Sequence, residues 1–225
     1  IMAIQTPVPT HIDLSTYPRA KHFHYFLTMG YPYVGMTVQV DITEFYHWQK
    51  ESGVPFFLAF LWCAARAANR VPALRQRIKD GEILEYPWCP TSHTVAREDG
   101  TYAYCQLDCR DDFVPFLQAA RPVQEEAARH GTIEEDTSDL LPYFYVSTVP
   151  WVHYTSVTQP TPIPADSNPR FVWGKYQAEG GRVTMPVTVL CHHGLVDGRQ
   201  IGDFYRELDV TMKEIQQKHE NGVNA

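Results

Sequence analysis

The chain has 225 residues, of which 20% are charged, and a formal net charge of −7 at pH 7. An acidic chain without a run of Lys and Arg argues against a nucleic-acid partner. The longest apolar run, residues 54–65, is too short to cross a bilayer, and we find no secretory leader, so we expect no membrane association. The five scattered cysteines predict reduced thiols in a cytoplasmic protein. With no second pair at ligand spacing, we expect no metal site.

This length predicts one domain over residues 1–225 that buries a substantial core. Residues 1–18 are rich in Pro, Thr and polar side chains, which is typical of an extended arm or an edge strand. We expect residues 218–225 to form a disordered tail. Between these ends, a meander of strands is punctuated by isolated helices. That pattern favours an α/β (α+β) fold of two layers, in which helices pack on one face of a mostly antiparallel mixed sheet.

The first predicted elements are a strand over residues 37–43 and a helix over residues 44–52 that ends at Gly53. Pro55 suits the first turn of a second helix over residues 56–69. That helix is apolar almost all round, which predicts a buried central helix.

The middle of the chain reads as further strands followed by one long helix. Residues 73–110 are predicted to form a strand meander, clearest at 83–86 and 101–105. A helix capped by two aspartates then runs over residues 111–129. The acidic segment 134–139 is predicted to be a solvated loop.

The last third of the chain alternates between strands and loops before a final helix. Proline-rich residues 160–169 predict a stiff surface loop, and residues 171–176 and 182–191 predict strands. After Gly198 an apolar stripe at helical spacing predicts an amphipathic helix. The stripe consists of Ile201, Phe204, Tyr205, Leu208, Met212 and Ile215.

The segment over residues 191–198, Cys-His-His-Gly-Leu-Val-Asp-Gly, has the strongest chemical character. It combines an imidazole that titrates near neutrality, a carboxylate four residues later and a glycine that permits a sharp turn. Alternation along the preceding strand predicts that His193 shares a face with Cys191 and that His192 lies on the opposite face. By itself, this pattern fits a catalytic base at His193 and a hydrogen-bonded core histidine equally well.

The His-His-x-x-x-Asp-Gly pattern followed by an amphipathic helix resembles the active-site signature of the chloramphenicol acetyltransferases, which are related to the catalytic cores of dihydrolipoamide acyltransferases. Three other segments are similar to that family and lie in the same order along the chain. They are Tyr-Pro-Arg-Ala-Lys-His-Phe at 17–23, Val-Ser-Thr-Val-Pro-Trp-Val-His-Tyr-Thr-Ser at 146–156 and Gly-Lys-Tyr at 174–176.

The resemblance implies a catalytic role for four residues. His193 would be the general base that removes a proton from an alcohol, because a neutral imidazole has a suitable pKa. The hydroxyl of Ser147 would stabilise the oxyanion, an effect worth about 3 kcal/mol. Asp197 would pair with Arg19 and hold the turn; the alternative is that Asp197 orients His193 in a triad.

The resemblance also implies two sets of binding residues. Val172 stands where well-known members have a threonine, and Gln159 stands near a position that is apolar in them. These two departures favour keeping another small hydroxylated compound as an alternative acceptor to chloramphenicol. Core packing explains the aromatic members equally well. The acceptor set is Phe26, Tyr102, Tyr104, Gln159 and Val172, and the cofactor set is Trp151, Lys175 and Tyr176.

Further residues near these segments have simpler predicted roles. The phosphates of CoA require local basic groups in an acidic chain, and Arg170, Lys175 and Arg182 are the candidates. His22, His153 and His192 are predicted to be structural.

The family resemblance implies an acetyl-CoA-dependent O-acetyltransferase that acts on chloramphenicol without an acyl-enzyme and without a metal, and that confers antibiotic resistance. It also implies a homotrimer whose active sites lie between subunits. Two alternatives stay open. One is an acyltransferase of the same fold with another small hydroxylated acceptor, and the other is a catalytically silent homologue that binds a ligand or partner.

Overall fold

A computed structural model describes residues 4–133 and 140–223 of the chain. The acidic segment predicted as a loop, 134–139, lies outside the described residues. The helices and strands within them, in chain order, are β1 (Thr10–Ile12), α1 (Ala20–Leu27), β2 (Tyr33–Asp41), α2 (Thr43–Ser52), α3 (Phe56–Asn69), β3 (Gln76–Lys79), β4 (Glu82–Glu85), β5 (Thr91–Ala96), β6 (Tyr102–Leu107), α4 (Phe113–His130), β7 (Phe144–Val149), β8 (Arg170–Gly174), β9 (Gln177–Glu179), β10 (Arg182–His192) and α5 (Gly198–Val223).

The main sheet has the strand order β2-β10-β8-β7-β5-β6, with β9 paired to one end of β10. Its pairs β5·β7 and β7·β8 are parallel, and the other pairs are antiparallel. A smaller antiparallel sheet has the order β1-β4-β3. The N-terminal arm therefore contributes an edge strand, and the mostly antiparallel mixed sheet predicted from the sequence is confirmed.

The helices cover one face of the main sheet. On β8, the ring of Trp173 lies 4.9 Å from that of Phe60 in α3, and the ring of Phe171 lies 5.0 Å from that of Phe204 in α5. Because side chains alternate along a strand, Val172 between them faces the other way. We refer to this second side as the open face. The two-layer α/β arrangement is confirmed.

Several helix boundaries follow the sequence signals. Helix α2 ends at Gly53, whose φ of 68° is in the left-handed region that glycine adopts without strain. Helix α3 is buried along most of its length, as its apolar sequence predicts. The five cysteines are all buried, and none is in a disulfide.

Several boundaries differ from expectation; for example, the strand predicted over residues 37–43 spans Tyr33–Asp41. Helix α5 continues to Val223, so residues 218–223, which we expected to be part of a disordered tail, are helical. Lys218 of this last part pairs with Asp112, the residue before α4, and that contact ties the end of α5 to the domain. Strand β8 ends at Gly174, which leaves Lys175 and Tyr176 beyond the strand.

Candidate active site

His193 lies in a tight turn immediately after β10. The strand ends at His192, so the alternation that predicted a shared face for His193 and Cys191 stops one residue short of His193. The backbone N–H of His193 donates to the carbonyl of Pro32 at 2.7 Å, and the N–H groups of Leu195 and Val196 both donate to the carbonyl of His192. These bonds fix the backbone of the turn.

The geometry of the turn defines the tautomer of His193. Its Nδ1 lies 2.9 Å from the carbonyl oxygen of Val196. A carbonyl only accepts hydrogen bonds, so Nδ1 carries the proton and Nε2 of the neutral ring has a free lone pair. The ring stacks on Phe26 with 4.0 Å between centroids, and the residue is half-buried. In the neutral tautomer that this bond selects, Nε2 is therefore the nitrogen that can accept a proton.

Arg19 and Asp197 hold the turn from the other side. The guanidinium of Arg19 forms an ion pair with the carboxylate of Asp197 and also donates to the carbonyl of His193 at 3.0 Å. Burial raises the pKa of Asp197, but the N–H of Arg199 and the charge of Arg19 outweigh it and lower that pKa below its usual value. Since Nδ1 of His193 donates to Val196, the arrangement is the Arg19 pair and not a His193–Asp197 triad.

His192 supports the same turn from inside the fold. Its side chain is buried, and its Nδ1 accepts a hydrogen bond from the N–H of Gly194 at 3.1 Å. Burial lowers the pKa of His192 to about 4, so the ring is neutral at pH 7 and can accept this bond. The structural role predicted for His192 agrees with these contacts.

Ser147 lies on the open face in the middle of the sheet. The register of the strands puts it level with Val172 of β8, which is level with Thr188 of β10. His193 is five residues beyond Thr188 and two strands away from Ser147. At about 3.3 Å per residue and about 4.8 Å per strand, the two side chains are roughly 20 Å apart. One chain therefore does not bring Ser147 and His193 together.

The predicted acceptor residues divide between these two places. Phe26 stacks on His193, whereas Tyr102 and Tyr104 lie on β6 with 6.0 Å between ring centroids. Tyr104 pairs with Thr94 of β5 and faces the same side of the sheet as Ser147.

The other two predicted acceptor residues lie near a buried tyrosine. Val172 is 3% exposed, and its carbonyl accepts a hydrogen bond from the hydroxyl of Tyr154 at 2.8 Å. Within one chain, Val172 is therefore closed to a ligand. Gln159 is half-buried in the loop that follows Tyr154.

A cavity of about 330 Å³ lies where the parallel strands β5, β7 and β8 reach their carboxyl ends. Lys175 and Tyr176, two of the predicted cofactor residues, line it. Trp151, the third, is 76% exposed and is not part of the wall. The lining residues are Phe56, Phe57, Thr94, Val95, Ala96, Gln124, Thr148, Pro150, Trp173, Gly174, Lys175 and Tyr176.

Ten of the twelve lining residues were not among the predicted site residues. Phe56 and Phe57 in the first turn of α3 were indistinguishable from other core residues of an apolar helix. Gln124 of α4 is a polar residue within a helix and carried no signal. Thr148 is the missed residue that the sequence could have indicated, because it directly follows Ser147.

The three predicted basic groups have different surroundings. Arg170 is 8% exposed and forms two hydrogen bonds to the carboxylate of Asp166, at 2.8 and 2.7 Å. Arg182 is paired with Asp41. Lys175 is exposed and lines the cavity, so it is the one of the three that is positioned to meet a ligand there.

Two features are absent from residues 4–133 and 140–223. No group of His, Cys, Asp and Glu side chains in this part of the chain could hold a metal ion. None of the helices described there is both long and apolar enough to cross a membrane.

The arrangement of strands and helices matches that of known acyltransferases. A solved chloramphenicol acetyltransferase superposes with a TM-score of 0.79 at 24% identity, covering 91% of this chain and 100% of that one. The dihydrolipoamide acetyltransferase of Azotobacter vinelandii superposes with a TM-score of 0.65 at 16% identity, covering 88% of each chain. The chain therefore has the two-layer fold of these proteins.

Sequence comparison resolves the family among proteins of this fold. A family model described as chloramphenicol acetyltransferase matches residues 9–209. The chloramphenicol acetyltransferase of a Klebsiella species is 31% identical over 220 residues, covering 92% of this chain and 95% of that protein. The one from Streptomyces acrimycini is 30% identical over 212 residues, covering 92% and 96%. The chain belongs to the chloramphenicol acetyltransferase family and is an acyltransferase.

Proposed function

We propose that this protein transfers the acetyl group of acetyl-CoA directly to a hydroxyl of chloramphenicol, with His193 as the general base. The observation that carries the proposal is the bond from Nδ1 of His193 to the carbonyl of Val196. This bond leaves the lone pair of Nε2 free, and a base needs such a lone pair to take the proton of an acceptor hydroxyl. Membership of the family supports the reaction and the two substrates.

The proposed reaction has two steps. Nε2 of His193 takes the hydroxyl proton while the oxygen attacks the thioester carbonyl, and the negative charge on that carbonyl oxygen is stabilised by the hydroxyl of Ser147. The tetrahedral intermediate then collapses, the carbon–sulfur bond breaks, and the imidazolium returns its proton to the CoA sulfur. Arg19 and Asp197 take no part in proton transfer. They hold the carbonyl and the turn of His193 in place.

The cavity at the carboxyl ends of β5, β7 and β8 suits acetyl-CoA. Its aromatic wall of Phe56, Phe57, Trp173 and Tyr176 would contact the pantetheine arm, and the exposed amine of Lys175 would meet a phosphate. The cavity includes Thr148, whose neighbour Ser147 faces the opposite side of the sheet. An arm that passes through the cavity between the strand ends would therefore bring the thioester towards Ser147.

A complete site requires a second copy of the chain. Ser147 and His193 are roughly 20 Å apart in one chain by the strand spacings, which is too far for both to touch one acetyl group. Strand β2 is at the edge of the sheet, and apolar side chains near His193 and along β2 are exposed, as expected of a surface that another subunit covers. These are Tyr25, Leu27, Met29, Tyr31, Met36 and Val38. We therefore propose a homotrimer in which His193 of one subunit faces Ser147 of the next.

Two residues bear on the identity of the acceptor. Val172 lacks a side-chain hydroxyl and is buried, and Gln159 is a polar residue near the site. These features favour, as a second candidate, another small hydroxylated acceptor of the same reaction. The presence of His193, Ser147, Asp197 and Arg19 together disfavours a silent binding protein.

The decisive experiment is to incubate the purified protein with acetyl-CoA and chloramphenicol and to follow release of the CoA thiol. We expect turnover that is lost in the variant H193A. Turnover only with another alcohol would replace the acceptor, and no acetyl transfer to any alcohol would remove the proposed function. If chloramphenicol is the substrate, expression in the cytoplasm of a susceptible bacterium should confer resistance, since the cytoplasm holds both acetyl-CoA and the drug's target.

A further inference from the structure

A buried histidine lies directly beneath the cavity and is not used by the reaction described above. His93 is at the centre of β5, where it pairs with Cys105 of β6 and Val146 of β7. It is 1% exposed, and its ring lies 4.9 Å from that of Phe57 in the cavity wall. Burial lowers the pKa of His93 to about 3, so the ring is neutral at pH 7.

Among the described residues, the side chain of His93 makes one hydrogen bond, and it is to a residue of the cavity wall. Its Nε2 lies 3.0 Å from Nε2 of Gln124 in α4. A carboxamide nitrogen only donates, so Nε2 of His93 accepts and its own proton is on Nδ1. That Nδ1 has no partner among the described residues. The histidine therefore has one strong contact, and that contact fixes the orientation of the Gln124 amide.

The orientation leaves the carbonyl oxygen of Gln124 available. Its amide nitrogen is held by His93, and no described residue donates to its oxygen Oε1. Gln124 is half-buried and lines a cavity whose other walls are largely aromatic. A fixed acceptor in an apolar wall discriminates strongly between ligands that offer an N–H at that point and those that do not.

We propose that Gln124, positioned by His93, accepts a hydrogen bond from an amide N–H of the ligand in this cavity. This inference rests on the proposed function, in which the ligand is acetyl-CoA, whose pantetheine arm carries two secondary amides. Gln124 is then a cofactor-recognition residue, and His93 is a positioning residue that does not touch the cofactor.

The test compares variants and ligands together. Binding of CoA is measured by calorimetry alongside two analogues in which an ester oxygen replaces one or the other amide nitrogen, which removes a single N–H and keeps the carbonyl. In the wild-type protein, we expect one analogue to bind about threefold to tenfold more weakly than CoA. In the variant Q124M, the affinity for CoA should fall by a similar factor, whereas the affinity for that analogue should hardly change.

The kinetic signature separates recognition from a merely structural effect. Q124M and H93F, which keeps a ring against Phe57, should each raise KM for acetyl-CoA, leaving kcat and the KM for the acceptor within about twofold. The double variant should be no worse than Q124M, because both substitutions remove the same bond. The matched control is Q118M, an exposed position on the same helix, which should change nothing.

Two results would overturn the inference and leave the proposed function intact. One is a wild-type protein that binds CoA and both analogues equally, a measurement that needs no variant and decides the matter if H93F or Q124M fails to fold. The other is an equal loss of affinity for CoA and for both analogues in Q124M. A wild-type protein that does not bind CoA at all would instead overturn the proposed function.

Discussion

The turn that carries His193 and the cavity at the strand ends are built in different ways. In the turn, the carbonyl of Val196 is a neighbouring group that orients His193. Pro32, Phe26 and Arg19, which also contact His193, come from the N-terminal part of the chain. The cavity takes its wall from helices α3 and α4 and from strands β5, β7 and β8. The first is a short sequence motif that is supported by one other segment of the chain, and the second exists only where several distant segments meet.

This difference explains how the chemistry is distributed in the proposed function. The base is a property of the turn, because its tautomer is set by one bond to Val196. The oxyanion donor and the cofactor site depend on the sheet, because strand register determines which residues of neighbouring strands lie side by side. The predictions below test each region separately, starting from the largest expected effect.

His193 in the turn should be the general base of the reaction, with no contribution from the cavity region. We expect H193A to lower kcat by more than about 1000-fold with little change in KM, because no other described side chain has a free imidazole nitrogen at that place. Initial rates of thiol release measure this. The control is H22A, which replaces an exposed histidine. A kcat of H193A within tenfold of the wild-type value would contradict the assignment.

The sheet should supply the oxyanion donor from a different subunit. We expect S147A to lower kcat by about 100-fold. Inactive H193A and S147A chains, when unfolded and refolded together, should regain activity, because some interfaces will then pair an intact His193 with an intact Ser147. Recovery is measured against each variant refolded alone. A mixture as inactive as its components would show that the two residues do not share an interface.

Each region contains one buried neutral histidine, and this makes folding stability depend on pH. Burial holds the pKa of His192 at about 4 and that of His93 at about 3, whereas both titrate near 6.5 in an unfolded chain. The unfolded state binds more protons below pH 6.5, so the free energy of unfolding is largest above that pH. It should fall by about 2 kcal/mol for each histidine by pH 5.

Urea unfolding at pH 7 and at pH 5 measures this loss of unfolding free energy. The variant H93F shows how much of the loss is due to His93. That variant should lose about 2 kcal/mol less than the wild type between the two pH values, whatever its stability at pH 7. An unchanged difference between the two pH values in H93F would show that His93 is not buried as a neutral ring.

Arg19 should matter through the geometry of the turn. We expect R19M to lower kcat about tenfold, since Asp197 and the carbonyl of His193 both lose the guanidinium as a donor and Asp197 keeps only backbone N–H groups such as that of Arg199. Because the carboxylate of Asp197 is partly exposed, the cost in stability should be only about 1 kcal/mol. Thermal melts and initial rates distinguish the two effects. K21M, at an exposed neighbouring position, is the matched control, and R19M with full activity would contradict the role.

Lys175 should give the smallest effect, and only on the cofactor side. We expect K175M to raise KM for acetyl-CoA about fivefold at low salt, with kcat unchanged, because an exposed amine contributes a screened attraction to a phosphate. The difference from wild type should shrink as salt is added. R182M is the control, since Arg182 is paired with Asp41 away from the cavity. An effect on kcat would place Lys175 nearer the reacting atoms than proposed.

The sequence by itself determined the local features of this protein. The pattern over 191–198 and the matching segment at 17–23 pointed to His193, Asp197 and Arg19, whose contacts depend on one turn and on the helix beside it. Gly53 and the apolar run of α3 similarly marked elements whose boundaries arise from backbone preference and hydrophobic burial. Each of these signals lies within a short stretch of sequence, although the pairing of Arg19 with Asp197 joins two stretches from opposite ends of the chain.

Only the tertiary structure decided which distant residues share a site. It left Trp151 exposed and brought Gln124 and His93 to the cavity, and it engaged Arg170 and Arg182 in ion pairs. It also made residues 218–223 helical by packing α5 along the domain. The physical reason is that strand order and register join segments far apart in the chain, and no short stretch of sequence contains the energy of those pairings.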